Sequence, residues 1–411
     1  MATKSSPKKN NKVTRSTVKN KPEEPELRRP PSVFETSQAA LKEISEIMDC
    51  PVLSYYKPSG TSIWTKDLYA IWEALKHIGK VDKLAIYVRS DGGSGMISLR
   101  IINLLRFFAK KLIILAPSEC ASAATMLALG CDEIYLGPLS SLSAVDSSLT
   151  HPLSPVDKQD MPVSVSQDEL WRVLRLWREY HDGQDMPDHN GLSLQDEVEN
   201  PLLGFSKKGK SDKKTLPNLE KNEPGVVENP YKYLYQYVHP LVFGAIDRSK
   251  SLSIQLCKEI LQYHMKDAKK IEQISHKLNY DYPAHGYPIT MREAEEIGLN
   301  IKQISVEVQD ILNKLQLDYG AMTDEMITDY DNASYHNHSI YSVVETVGVQ
   351  VFYQYDFDKF YREIDKRYIT LNDKSGWFKT SKTETEEAVK SKGGKSKMVK
   401  SEQLRTERIY F

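Results

Sequence analysis

Two hydrophobic periods alternate along the first 300 residues of the chain. Ala40, Leu41, Ile44, Ile47 and Met48 recur at helical spacing behind Thr36, a good capping residue, and the pattern stops before Pro51. Val52 to Tyr56 then reads as a strand. Leu68, Ile71, Trp72, Leu75 and Ile78 form one face of a second helix, which Gly79 ends. Leu84 to Val88 (LAIYV) is a continuous apolar run rich in β-formers, the mark of a strand covered on both faces. Ile97, Ile101, Leu104, Leu105 and Phe108 give the next helix its inner stripe, and Leu112 to Leu115 (LIIL) the next strand. A further helix starts near Ser122 and stops around Gly130, before a short strand at Ile134 to Leu136.

Strand, helix, strand, helix, strand with connections of a few residues predicts an α/β fold with a mostly parallel sheet. Right-handed crossovers then bring the C-terminal ends of successive strands to one edge. The loops after LAIYV and LIIL are therefore expected to be neighbours.

Farther on, Ser166 to Glu169 (S-Q-D-E) reads as a capping box for a helix bearing Leu170, Val173, Leu174 and Trp177. Residues 181–228 are rich in Asp, Asn, Gly, Pro and Lys and read as a surface insertion. Tyr231 to Met265 is amphipathic and helical, interrupted around Pro240, and Thr290 caps a short helix. Ile340 to Tyr355 is β-branched and aromatic enough for a hairpin, and a Lys/Glu-rich stretch from about Thr380 reads as a frayed tail. The resulting division is a disordered basic arm at 1–33, a main domain at 34–304 carrying the insertion, a small α+β extension at 305–380 and a flexible tail at 381–411.

Composition narrows the class. The 411 residues are 40% hydrophobic and 27% charged, an ordinary globular balance, and nowhere do about 18 apolar residues run together. No transmembrane segment is expected. The N-terminal 31 residues hold nine Lys/Arg against three Glu and no apolar stretch, which excludes a secretory signal there. A net charge of −1 gives no drive toward nucleic acid. Four cysteines, Cys50, Cys120, Cys131 and Cys257, show neither CxxC spacing nor a disulfide framework, which fits reduced thiols and a cytoplasmic location. No metal-ligand spacing and no P-loop is present, and no cofactor is expected.

The chemistry concentrates in two loops. After LAIYV comes R-S-D-G-G-S-G, Arg89 to Gly95, where paired glycines let backbone N–H groups approach a ligand and the following helix adds the positive end of its dipole. One strand on, Ser122 stands among alanines at a helix start. Brought together, a hydroxyl and two N–H groups can surround one carbonyl carbon, as acyl transfer requires. Cys120 reads as a small buried residue and the pair Asp132, Glu133 as structural.

The segment from YVRSDGG through ASAATMLALGCDEIYLGPLSSLSAVD, with the later HGYPITMREAEEIGL, resembles the serine dehydrogenase proteinase family. That family is related to signal peptide peptidase A and the Clp proteolytic subunit within the ClpP/crotonase superfamily. The similarity covers roughly Val52 to Ile301 and implies a ClpP/crotonase-like spiral. It further implies that Ser122 is the nucleophile, that the N–H groups of Gly93 and Ala123 form the oxyanion hole, and that Gly92, Asp91 and Ser94 bind substrate. Asp91 departs from the proline common before the glycine pair and puts a carboxylate at the lip of the site. The general base is left open among His151, Lys158 and His285.

The resemblance points to a peptidase acting on peptides or proteins as a homo-oligomer, with an adaptor or unfoldase left open as a partner. A non-catalytic relative that holds a peptide, and a crotonase-type enzyme of acyl thioesters, are the rival expectations.

Overall fold

A computed structural model describes residues 31–146, 148–149, 152–154, 165–166, 239–323, 326–330, 333–390 and 396–411. The arm as far as residue 30, most of the expected 166–177 helix, the insertion at 181–228, His151 and Lys158 lie outside them.

Five parallel strands form the centre: β1 (Val52–Tyr56), β2 (Val81–Arg89), β3 (Ala109–Ala116), β5 (Glu133–Leu136) and β9 (Ile301–Gln303), in the spatial order β1-β2-β3-β5-β9. Among these five strands the order never reverses, so the parallel half grows in one direction as the chain advances. Helices α2 (Asp67–Ile78), α3 (Gly95–Phe108) and α4 (Ala123–Leu129) follow β1, β2 and β3. Alternation along β2 shows why its run is apolar throughout. Leu84, Ile86 and Val88 enter a core shared with α2, α3 and α4, whereas Ala85 and Tyr87 enter a second core. That second core is closed by α1 (Pro31–Met48) and α8 (Val306–Thr323). The first is extended by α5 (Pro240–Leu261), α6 (Ala268–Tyr280) and α7 (Met291–Ile297). The result is an α/β fold with a largely parallel central sheet between two helical layers.

Several elements differ from expectation. Helix α1 begins at Pro31, ahead of Thr36, whose hydroxyl donates to Val33 O at 3.0 Å inside the helix. Proline loses no hydrogen bond in a first turn, so the helix can start there and bring Phe34 into the core. Ser166 lies in the two-residue strand β8 (Val165–Ser166), paired with β7 (Ser148–Leu149), and the helix expected to follow it lies outside the described residues.

The region beyond residue 304 shares the sheet and both cores with the residues before it. Strand β11 (Ser334–Thr346) pairs antiparallel with β1, and β12 (Val349–Arg362) pairs with β11 in the expected hairpin. β10 (Met326–Tyr330) and β13 (Arg367–Leu371) flank that hairpin. The stretch from Thr380, read as a frayed tail, instead belongs to β14 (Gly376–Lys390) and β15 (Ser396–Ile409), paired along their lengths. Its alternation of Thr and Val with charged residues is a strand period, and the ladder pair Lys379 with Glu407 places opposite charges across from each other. Among the described residues the sheet thus counts 11 strands, six of them from this antiparallel half.

At the C-terminal ends of the parallel strands the chain pairs a second time. Ile63 bridges Gly93, Ser90 bridges Cys120, and β4 (Glu119–Cys120) pairs with β6 (Ser141–Leu142), which meets Ile289. These short ladders join the loops that carry Gly92 and Gly93, Ser122 and, through Ile289, His285.

Candidate functional site

The turn after β2 must double back against its neighbours, and only glycine permits it. Gly92 and Gly93 sit at φ 111° and 141°. A Cβ on Gly93 would lie 2.3 Å from Ile63 N, and one on Gly92 would lie 2.7 Å from Ser122 Cβ. The diglycine turn and Ser122 are therefore in contact. Ile63 clamps the turn from the far side: its N–H donates to Gly92 O at 2.8 Å and its carbonyl accepts from Ser94 N at 3.1 Å.

Ser122 itself stands at φ 53°, ψ −117°, a backbone state that disfavours a side chain. Surrounding bonds impose it. Ala121 N donates to Ser90 O at 3.0 Å, Ser122 N to Ser143 Oγ at 2.7 Å, and Ser143 N to Thr125 Oγ1 at 3.0 Å. The Ser122 N–H is thereby used up. Among the described residues, the N–H groups of Gly93 and Ala123 have no hydrogen-bond acceptor.

A cavity of about 320 Å³ opens over these groups. Gly93, Ser94, Ser122 and Ala123 line it on one side, and Asp146 and His285 on another. Met96, Met126, Val145, Leu252 and Leu256 give it an apolar wall. His285 Nδ1 lies 2.9 Å from Asp146 Oδ1. That bond raises the imidazole above its ordinary pKa, against the opposing effect of partial burial. It also assigns the tautomer, because Nδ1–H donating to the carboxylate leaves the Nε2 lone pair free. Among the described residues no hydrogen bond joins His285 to Ser122 Oγ.

The His–Asp pair has a topological cause. Leu142 and Ile289 exchange two backbone hydrogen bonds, of 3.0 and 2.8 Å, in an antiparallel bridge. Four residues onward from Leu142 is Asp146, and four residues back from Ile289 is His285. Antiparallel register sets those positions opposite each other. Val145 N bonded to Leu278 O at 2.9 Å, and Ser253 Oγ bonded to Val145 O at 2.7 Å, hold the Asp146 side in place. Sequence reasoning gave Asp146 no role. Its signal was an Asp ending L-S-A-V-D one strand past the serine, and it stays silent until the pairing of Leu142 with Ile289 is known.

Asp91 lines the cavity without leaving a free charge. Its carboxylate meets Arg89 Nη2 at 3.1 Å, Ser59 Oγ at 3.0 Å and Gly60 N at 2.9 Å. Cys120 is fully buried, burial pushes its thiol up to about 12, and Sγ donates to Ala124 O at 3.3 Å, so no thiolate is available. Asp132 binds Arg106 and Leu112 N, and Glu133 binds Lys111, all at the opposite end of the strands. Of the candidate bases, only His285 is among the described residues.

Among the described residues no helix is long and apolar enough to cross a membrane, and no group of three or more His, Cys, Asp or Glu could hold a metal. The chain matches no protein-family model and no curated protein.

Proposed function

We propose that the chain is a serine peptidase-like hydrolase in which Ser122 attacks a peptide carbonyl. His285 serves as general base through Nε2, and Asp146 holds its ring. The observation that carries this reading is the single cavity shared by Ser122, a hydrogen-bonded His–Asp pair and two N–H groups without acceptors.

The steps balance as follows. The Ser122 Oγ–C bond forms as the hydroxyl proton passes to Nε2, and the carbonyl oxygen takes up negative charge facing the N–H groups of Gly93 and Ala123. The C–N bond then breaks and the leaving amine departs with that proton. Water repeats the sequence on the acyl-enzyme, giving its proton to Nε2, and collapse returns it to Ser122 Oγ as the acid leaves. Asp91, held by Arg89, adds no unpaired charge to oppose the oxyanion.

The finer architecture belongs to the same reading. A parallel half that grows in one direction from β1 to β9, with a second set of short ladders at the strand ends, supports a ClpP/crotonase-like spiral. Peptide or protein substrates, self-association and a cytoplasmic site of action go with it. The His–Asp pair favours this hydrolase over a peptide-holding scaffold or a thioester enzyme, neither of which needs to deprotonate a serine.

A fluorophosphonate probe tests the proposal. The wild type is expected to take one label and Ser122→Ala none. A wild type that stays unlabelled, or a Ser122→Ala protein labelled as fast, overturns it.

A further inference from the structure

Residues 57–66 lie outside the cavity, yet they fix the turn that lines it. Ile63 is bonded to both sides of the diglycine, through Gly92 O and Ser94 N. What holds Ile63 in turn is a buried carboxylate. Asp67 is fully buried and collects Tyr55 OH at 2.6 Å, Trp64 N and Trp64 Nε1 at 3.0 Å each, and Lys57 Nζ at 3.3 Å. Its fifth donor comes from far along the chain: Ser342 Oγ of β11, at 3.0 Å.

The neighbouring residue of β11 makes the second tie. Tyr341 OH accepts from Ser62 N at 3.0 Å, one residue before Ile63, and its ring lies 4.1 Å from the Lys57 ammonium. Trp64, one residue after Ile63, packs between Tyr341 at 5.2 Å and Tyr353 of β12 at 5.1 Å. Ile63 is thus flanked on both sides by residues that β11 and β12 hold. A pair as buried as Lys57 and Asp67 is a weak source of stability, because desolvation opposes its attraction. Desolvation accordingly lowers Lys57 to about 8. Specifying one conformation of the 57–67 segment is the better account of why it is there.

We infer that β11 and β12 are a working part of the site, positioning the Gly93 N–H through Tyr341, Ser342, Asp67 and Ile63. The strands lie beyond the stretch that carries the family resemblance, so the antiparallel half of the sheet acquires a role other than covering the edge of β1. Tyr341 and Ser342 are positioning residues: they touch neither Ser122 nor the cavity lining. The inference rests on the hydrolase reading for its catalytic consequence, though not for the coupling itself.

The experiment is the combined variant Tyr341→Phe/Ser342→Ala, with Ser342→Ala alone as the milder arm, in the full-length chain. Each substitution removes one hydroxyl and leaves the packing in place. Two readouts are taken: the saturation kinetics of fluorophosphonate labelling, and amide hydrogen exchange of residues 90–96. The maximal labelling rate is expected to fall about tenfold or more, since outright loss of an oxyanion donor costs about 10²–10³. Half-saturation is expected to stay within about twofold, because the cavity wall is untouched, and exchange at 90–96 to quicken. A role confined to packing would leave both the labelling rate and exchange at 90–96 unchanged, and that result overturns the inference. If the wild type takes no label, the hydrolase reading fails, and exchange at 90–96 alone decides whether the coupling stands.

Discussion

At Ser122 the local rules of the chain are broken, and the breakage is informative. A serine at φ 53° costs on the order of 1–3 kcal/mol of backbone strain, sustained here by the bonds through Ala121, Ser143 and Thr125. Residue types made this site legible in part. A Gly-Gly pair and a serine among alanines each mark a place where backbone or hydroxyl can be reached, and the structure puts them in contact. Distance along the chain hid the rest. His285 was one of three candidates, and Asp146 went unremarked because a single antiparallel bridge at Leu142 and Ile289 brings it to the imidazole. At Gly93, replacement by Ala would set a Cβ 2.3 Å from Ile63 N, so the turn must move away from its clamp. Gly93→Ala is expected to lower the rate of fluorophosphonate labelling by about 10²–10³, the effect of losing an oxyanion donor. Labelling at the wild-type rate would remove Gly93 from the site.

Among the elements, hydrophobic periodicity served the parallel half well because β2 and β3 are covered on both faces, leaving continuous apolar runs that few other structures produce. Boundaries fared worse. The start of α1 was misplaced at Thr36, where a favourable capping residue competes with Pro31. The β14–β15 hairpin escaped notice for a different reason. Its strands carry charge where buried strands carry Val or Ile, so composition suggested a solvated tail while the two-residue period suggested pairing. Neither signal outranks the other without the partner strand in view.

For the molecule as a whole, residues on both sides of position 304 share one sheet and its cores. Val344, Val351 and Tyr353 join the core of β1 and α2, and Val343, Phe352 and Phe378 join that of α1 and α8. One sheet with shared cores on both faces is expected to unfold in one transition. Phe352→Ala, at a position 1% exposed, is expected to cost about 3–5 kcal/mol and to weaken hydrogen-exchange protection in β2 as much as in β12. Separate transitions for the two halves, or protection lost in β12 alone, would show the extension to be an independent unit.

The central claim is that Ser122, His285 and Asp146 act together, and the pH dependence of fluorophosphonate labelling tests it most directly. The base must be neutral, so labelling is expected to rise with pH through the folded-state pKa of His285. Asp146 lifts that value above the ordinary imidazole value of about 6.5. Asp146→Asn removes the raising influence, so its midpoint is expected to move to lower pH and its plateau to fall, by up to about 10⁴ if the tautomer is lost. His285→Ala is expected to abolish the titration together with most of the labelling. A flat profile in the wild type, or one left unchanged by His285→Ala, would contradict the account.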